Sequence, residues 1–312
     1  MIEQIISRRL RIALPQVQGT VRLLRDGATI PFISRYRKEA TGSLDEVQVG
    51  AVKEQLERLT ELESRRQTIL TTIEEQGKLT PELRRRIEEC WDPVELEDLY
   101  LPYKPKRRTR ATVARERGLE PLADLVMAQR ARDAAQQARR YVSAEVPTPE
   151  DALAGACDII AERISENEQA RNGLRRTFAR EGVVHTKVVK GKEAEGAKYS
   201  DYFDAATPLR SISSHRFLAM RRGADEGVLK ITIDIDADRC IEGLCRQFIR
   251  PGSATRTWME AAAADSFKRL MRPSIETEQL AAAKERPTTK PSGSSPRTCG
   301  NCCFRRRWDR NA

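Results

Sequence analysis

Between residues 47 and 73, apolar side chains return at near-helical spacing: Val47, Val52, Leu56, Leu59, Leu62, Ile69 and Ile73, with Gly77 ending the run. That period marks one face of an amphipathic helix. Glu54/Arg58 and Glu61/Arg65, each four residues apart, fit its solvent face. Just upstream, Ser43-Leu-Asp-Glu46 has the form of a capping box, in which hydroxyl and carboxylate each satisfy a free amide. A helix of this length extends roughly 45 Å at 1.5 Å per residue, which suits a helical hairpin or scaffold better than a compact enzyme core.

The rest of the pattern is helical too, in shorter pieces. Pro15, Gly27 and Pro31 break the first forty residues into short helices that need tertiary packing to persist. Thr80-Pro81 and Asp92-Pro93-Val-Glu95 place a capping side chain before a proline at the first helical position. Pro102 and Pro105 end the second of these helices, and a new segment starts near Ala111, breaks at Gly118 and restarts at Pro121. After Pro147 and Pro149, the span from Glu150 to Arg180 carries Leu153, Ile159, Ile160, Ile164 and Leu174, which predicts one long helix closed by Gly182. The period then shortens. VVHTKVV (183–189) is rich in β-branched residues and VLKITIDID (228–236) alternates, so the two can pair as a ribbon. A last helix is expected from about Ala254 to Glu285. The fold class expected is mainly α, an elongated multi-helix scaffold with a small two-stranded β element.

Composition agrees with that reading. Of 312 residues 39% are hydrophobic, 33% charged and 5% aromatic, enough to fill a core but too few rings for a barrel or sandwich. The net charge of +10 attracts polyanions. It is unevenly placed: residues 286–312 hold seven bases and one acid, so the body keeps only a small excess. Periodicity also stops there, and the composition turns to Arg, Pro, Ser, Thr, Gly and Cys. No apolar run reaches the roughly 18 residues that span a bilayer, and scattered cysteines (Cys90, Cys157, Cys240, Cys245) suit a reducing compartment. Cytoplasmic residence is expected, with no membrane partner and no small-molecule substrate.

Two basic clusters are the candidate binding residues. Lys104, Lys106, Arg107, Arg108 and Arg110 lie in KPKRRTR, beside Tyr100 and Tyr103, a pattern suited to phosphate contact with occasional ring stacking. An ion-paired connector explains it equally, since the preceding helix offers Glu95, Glu97 and Asp98. Arg35, Tyr36, Arg37 and Lys38 form the second cluster, either a recognition element or residues packed against neighbouring helices. Asp234, Asp236 and Asp238 alternate with isoleucines; spaced carboxylates can hold Mg²⁺, but strand alternation alone also sends them to water. Cys299-Gly-Asn-Cys302-Cys303 has half the spacing of a zinc knuckle and no second half. His185 and His215 assemble no triad, and phosphate-loop, dinucleotide and zinc-protease motifs are absent. No catalytic residue, metal or cofactor is expected.

Several segments resemble one family. TIPFISRYRKEATG (29–42), LEDLYLPYKPKRRTRATVARERGLEPLA (96–123), AERISEN (161–167), KYSDYFD (198–204) and HRFLAMRRG (215–223) are similar, in order and spacing, to the amino-terminal region of bacterial Tex-like transcription accessory proteins. The resemblance covers nearly everything from Met1 to about Glu285. It implies a nucleic-acid-binding protein whose helical amino-terminal part contains a helix-turn-helix-like unit, with ribonuclease-H-like, helix-hairpin-helix and OB-fold domains further on. The chain departs from the pattern where the ribonuclease-H-like module should begin, and the abrupt change suggests a truncated or frameshifted product. Three regions are expected: a helical amino-terminal domain (1–195), a connecting strand and helix region (196–285) and a disordered, out-of-frame tail (286–312). The function expected is weak, sequence-independent association with RNA or DNA, without catalysis. The alternative is a protein-interaction scaffold contacting the transcription machinery with no nucleic-acid binding of its own.

Overall fold

A computed structural model describes residues 1–105, 107–130 and 133–284. In chain order its elements are α1 (Ile2–Leu10), α2 (Leu14–Arg25), α3 (Ile30–Tyr36), α4 (Lys38–Thr41), α5 (Glu46–Glu75), α6 (Pro81–Glu89), α7 (Pro93–Tyr100), α8 (Arg110–Glu116), α9 (Glu120–Ala128), α10 (Ala134–Ala138), α11 (Pro149–Ser165), α12 (Glu168–Glu181), β1 (Val183–Val188), β2 (Asp204–Pro208), α13 (Ser214–Asp225), β3 (Leu229–Asp234), α14 (Ala237–Phe248), α15 (Arg256–Asp265) and α16 (Arg272–Lys284). Among the described residues the fold is mainly α. Two compact units are formed, one by 1–173 with 241–271, the other by 174–240 with the described residues from 272 onward.

In the first unit α5 is the organising rod. Val49, Val52, Leu59, Leu62, Ile69, Leu70 and Ile73 are buried along it, against α1, α2, α3, α6 and α7. Burying each of these large side chains stabilises by about 1.5–3 kcal/mol. The helix begins later than the Ser43 capping box predicts. Gly42 and Ser43 both take left-handed backbone angles (φ 61° and 65°), carrying the chain through one more turn. Asp45 is the cap: it accepts from the Gln48 amide at 2.7 Å while the Gln48 side chain accepts from the Asp45 amide at 3.1 Å. Val47 then falls on the outer face and is 80% exposed.

Arg66 interrupts the apolar stripe without leaving the core. It is 6% exposed, its guanidinium lies 4.3 Å from the Trp91 ring centre, and it donates to the Glu88 carbonyl at 2.6 Å and pairs with Glu63. Arg66 thereby fastens the α6–α7 connection to α5. Arg65, expected to pair with Glu61, turns to Glu97 on α7 at 2.6 Å.

Beyond α7, the centre of the unit is α11. Its Ala152, Leu153, Ala156, Ile159, Ile160 and Ile164 are buried, and it packs against α8, α9, α10 and α15. The single helix expected over 150–180 is two helices. They part at Asn167, whose side-chain oxygen accepts from the Ala170 amide at 2.9 Å, a local bond that competes with helix continuation. At this junction Arg171 donates to Asp98 at 2.8 Å, with side chains 6% and 3% exposed, and Glu168 pairs with Arg86 at 2.6 Å.

The second unit holds the sheet, which has three strands rather than two, in the order β2-β1-β3. The expected pairing is present and antiparallel, with Val184 opposite Ile233 and Lys187 opposite Lys230. β2, unforeseen because DAATP alternates only weakly, adds to the other edge of β1. The outer edge of β3 is covered: Glu276 of α16 accepts from the Ile233 amide at 2.6 Å, answering one of the free donors that an edge strand presents. Two helices were also missed. α13 packs on β3 and α16, and α14 opens with Asp236 accepting from the Arg239 amide at 3.0 Å. The last predicted helix, 254–285, is helical from Arg256 to Lys284 but passes through a π-helical turn at Ser266–Met271.

Gly19 in α2 faces α4 so closely that a β-carbon there would overlap the Ala40 carbonyl. Gly19→Ala gains about 1 kcal/mol of helix propensity but must force two backbones apart. A net loss of about 1–3 kcal/mol is expected in urea unfolding; an unchanged or raised midpoint contradicts the close approach.

Candidate nucleic-acid interface

The seven residues of α3 run between Thr29 and Arg37, with Ile33 buried and the opposite face open. On that open face Phe32 and Tyr36 lie one helical turn apart, 42% and 70% exposed, with ring centres 5.7 Å apart and planes tilted by 40°. Arg37 places its guanidinium 5.8 Å from the Phe32 ring centre, and its only ion pair among the described residues is a 3.8 Å approach to Glu39. Arg35 and Lys38 are exposed. All three cations therefore stand on the surface beside two uncovered rings. Phe32 was not singled out from the sequence, although its spacing of four from Tyr36 on a short helix with Ile33 inward carries the signal.

The second cluster follows α7. Lys104, Arg107, Arg108 and Arg110 are exposed; Lys106 lies outside the described residues. Two of the three acids that the sequence offers as their partners are committed elsewhere, Glu97 to Arg65 and Asp98 to Arg171. Arg108 meets Glu116 at 3.1 Å, a pair 74% and 53% exposed, worth at most about 1 kcal/mol. Of the two tyrosines expected to flank the loop, Tyr100 is buried with Arg65 over its ring at 5.3 Å, so it cannot receive a base. Tyr103 is half-buried, and its carbonyl accepts from Gln76 at 2.8 Å.

Two clefts divide this cluster. Lys104 lines one of about 590 Å³ together with Tyr103, Lys78 and Arg115; Lys78 went unnoticed because it is isolated in sequence. Glu120, on the same wall, is already bound to Arg163 at 3.0 Å. Arg108 and Arg110 line the other, of about 830 Å³, with Arg117, Asp151 and Asp158. Burial pushes the Asp158 carboxyl up, opposed by the neighbouring charges of Arg269 and Arg110. Both clefts mix the two signs of charge, the first through Glu120 and Glu166 and the second through Asp151 and Asp158.

The other candidates resolve into structural roles. Asp234 and Asp236 are exposed and accept from the amides of Ile235 and Arg239, while Ile233 and Ile235 are buried, as strand alternation requires. Among the described residues no group of three histidines, cysteines or carboxylates could hold a metal. Cys299, Cys302 and Cys303 lie outside the described residues. Ser213 Oγ stands 3.4 Å from His215 Nε2 on an exposed surface, without the enclosure that nucleophile activation needs. Burial raises the Cys157 thiol to about 11, helped by Asp158 and Asp265, and raises Cys240 to about 11 as well. Among the described residues no helix is long and apolar enough to cross a membrane.

Exposed cations and rings are thus carried on a mainly helical frame. Two family profiles match the chain: "Tex-like protein N-terminal domain" over residues 1–74 and "Tex central region-like" over residues 129–290. The chain belongs to the Tex family. It is 47% identical over 237 residues to "Transcriptional accessory protein Tex" of Neisseria gonorrhoeae, an alignment covering 76% of this chain and 31% of that protein. It is 49% identical over 225 residues to "Protein tex" of Bordetella pertussis, covering 72% and 28%. A more distant relative, "S1 RNA-binding domain-containing protein 1" of Pongo abelii, is 30% identical over 292 residues, covering 87% and 29%. The chain thus spans about a third of the length of the relatives it matches.

Thiolate is the reactive form of cysteine, so Cys157 and Cys240 are expected to resist alkylation at pH 8 in the folded protein and to react once urea unfolds it. Peptide mapping after timed iodoacetamide treatment measures this; rapid native labelling of either residue contradicts the burial assigned to it.

Proposed function

We propose that this chain is a non-catalytic, cytoplasmic, nucleic-acid-binding part of a transcription accessory protein, gripping RNA or DNA without regard to sequence. One observation carries the reading: Glu97 and Asp98, just upstream of the 104–110 loop, pair with Arg65 and Arg171, and the exposed Arg108–Glu116 pair is weak, so the loop's cations can turn to phosphates. The Arg35, Arg37 and Lys38 cluster adds a second contact, and the two together supply the dispersed charge that sequence-independent binding requires. The names of the relatives support it, one describing a transcriptional accessory protein and another an S1 RNA-binding domain. A chain spanning about a third of such relatives is expected to hold nucleic acid weakly by itself.

Fluorescence anisotropy with mixed-sequence oligonucleotides tests it. Affinity is expected to fall by at least tenfold between 50 and 200 mM salt, the loss expected when a few phosphates are neutralised. Reversing Lys104, Arg107 and Arg108 to glutamate is expected to flatten the slope by about one unit per phosphate contact removed. Absence of binding at low salt sinks the proposal. Associations with the transcription machinery that survive nuclease treatment would then favour a protein-interaction scaffold instead.

A further inference from the structure

The outer face of α3 has a property that neutralising phosphates does not use. Tyr36 is open and Phe32 is partly exposed beneath the Arg37 guanidinium, and both rings sit within the same short stretch as Arg35, Arg37 and Lys38. Exposed rings lose hydrophobic stabilisation, and a contiguous pair at i and i+4 marks a contact surface more often than a scattered one. The chemistry of that surface selects its occupant. Cations on either side favour a polyanion, and the π-faces of the rings favour flat, unpaired bases, which stack at a cost of about a tenfold loss in binding per ring removed.

Duplex DNA or RNA does not fit this description. In a duplex the bases are already stacked on each other, and reading their edges in the major groove takes polar side chains along a helix that enters it. α3 has only seven residues, about 10 Å at 1.5 Å per residue, and α4 has four. Two of the side chains that α3 sends outward are rings. We infer that α3 and α4 form a stacking platform for single-stranded nucleic acid: an unpaired base lies against Tyr36 or Phe32, and Arg35, Arg37 and Lys38 hold the flanking phosphates. The Arg37 guanidinium over Phe32 is itself a flat cation against which a second base can lie. This rests on the nucleic-acid-binding reading above and adds to it a preference for unpaired strands.

Binding of a labelled single-stranded pyrimidine oligomer and of a mixed-sequence duplex to the full 312-residue chain, at one low salt concentration, provides the test. Phe32→Ala with Tyr36→Ala is expected to weaken the single strand on the order of tenfold or more, leave the duplex within about twofold and leave the salt slope unchanged. Both rings are surface residues, so circular dichroism and urea midpoints are expected to match the parent. Tyr36→Trp is expected to retain single-strand binding and to show quenching of the new indole as the strand is added, the direct signature of a stacked base. If the ring variant binds both ligands like the parent, or loses both equally, or if the indole is not quenched, the platform is wrong. In that event, loss of binding in the Lys104, Arg107 and Arg108 charge reversal keeps the general reading intact, whereas a parent chain that binds neither ligand removes both.

Discussion

A guanidinium and a carboxylate with almost no access to water meet where α7 approaches the first turn of α12. The Arg171–Asp98 pair is 2.8 Å long, and much of the first unit depends on it. Burying either charge alone costs several kcal/mol, so neither residue is tolerated in the core without the other. The pair therefore sets how the segment following α11 meets α7, and the neighbouring Arg86–Glu168 contact fixes the same junction from α6. Asn167, by capping α12, gives Arg171 a new helix axis from which to reach Asp98.

The same pair shapes the surface. Asp98 and Glu97 stand close before the 104–110 loop in sequence, and in a loose chain they would neutralise it. Folding directs Asp98 inward to Arg171 and Glu97 sideways to Arg65. What remains after α7 is a run of cations, of which Arg108 meets the exposed Glu116. One allocation of charge thus does two things: Asp98 goes to the core with Arg171 and Glu97 to the flank of α5 with Arg65, while Lys104, Arg107, Arg108 and Arg110 stay outside.

Much of this was legible in residue order. The α5 stripe, the Thr80-Pro81 and Asp92-Pro93 helix starts and the β1–β3 pairing rest on local chemistry, a period of 3.6 or 2 or a cap within three residues, and the described structure has all of them. Failures occurred where backbone conformation, a competing side-chain bond or packing overrode the pattern read from the sequence. Ser43 and Glu46 spell a capping box, but consecutive left-handed residues moved the helix start to Asp45. The apolar repeat lapses between Ile164 and Leu174, and there the Asn167 side chain accepts from the Ala170 amide and starts a second helix. Tyr100 looked like a stacking ring beside a basic loop, yet it is core, whereas Phe32, which drew no attention in the sequence, is surface. Rings in short helices are assigned to one side or the other by what packs against them, and that information lies outside the local sequence.

Coupling between Asp98 and Arg171 is the most direct test of this account. A double-mutant cycle with Asp98→Asn, Arg171→Gln and the pair together, followed by urea unfolding, isolates their interaction from the cost of each change. The account predicts a coupling of about 2 kcal/mol or more, with the double variant far more stable than the sum of the two single losses would allow. Additive losses, with a coupling near zero, would mean that the two side chains do not depend on each other and that the allocation of charge described here is wrong.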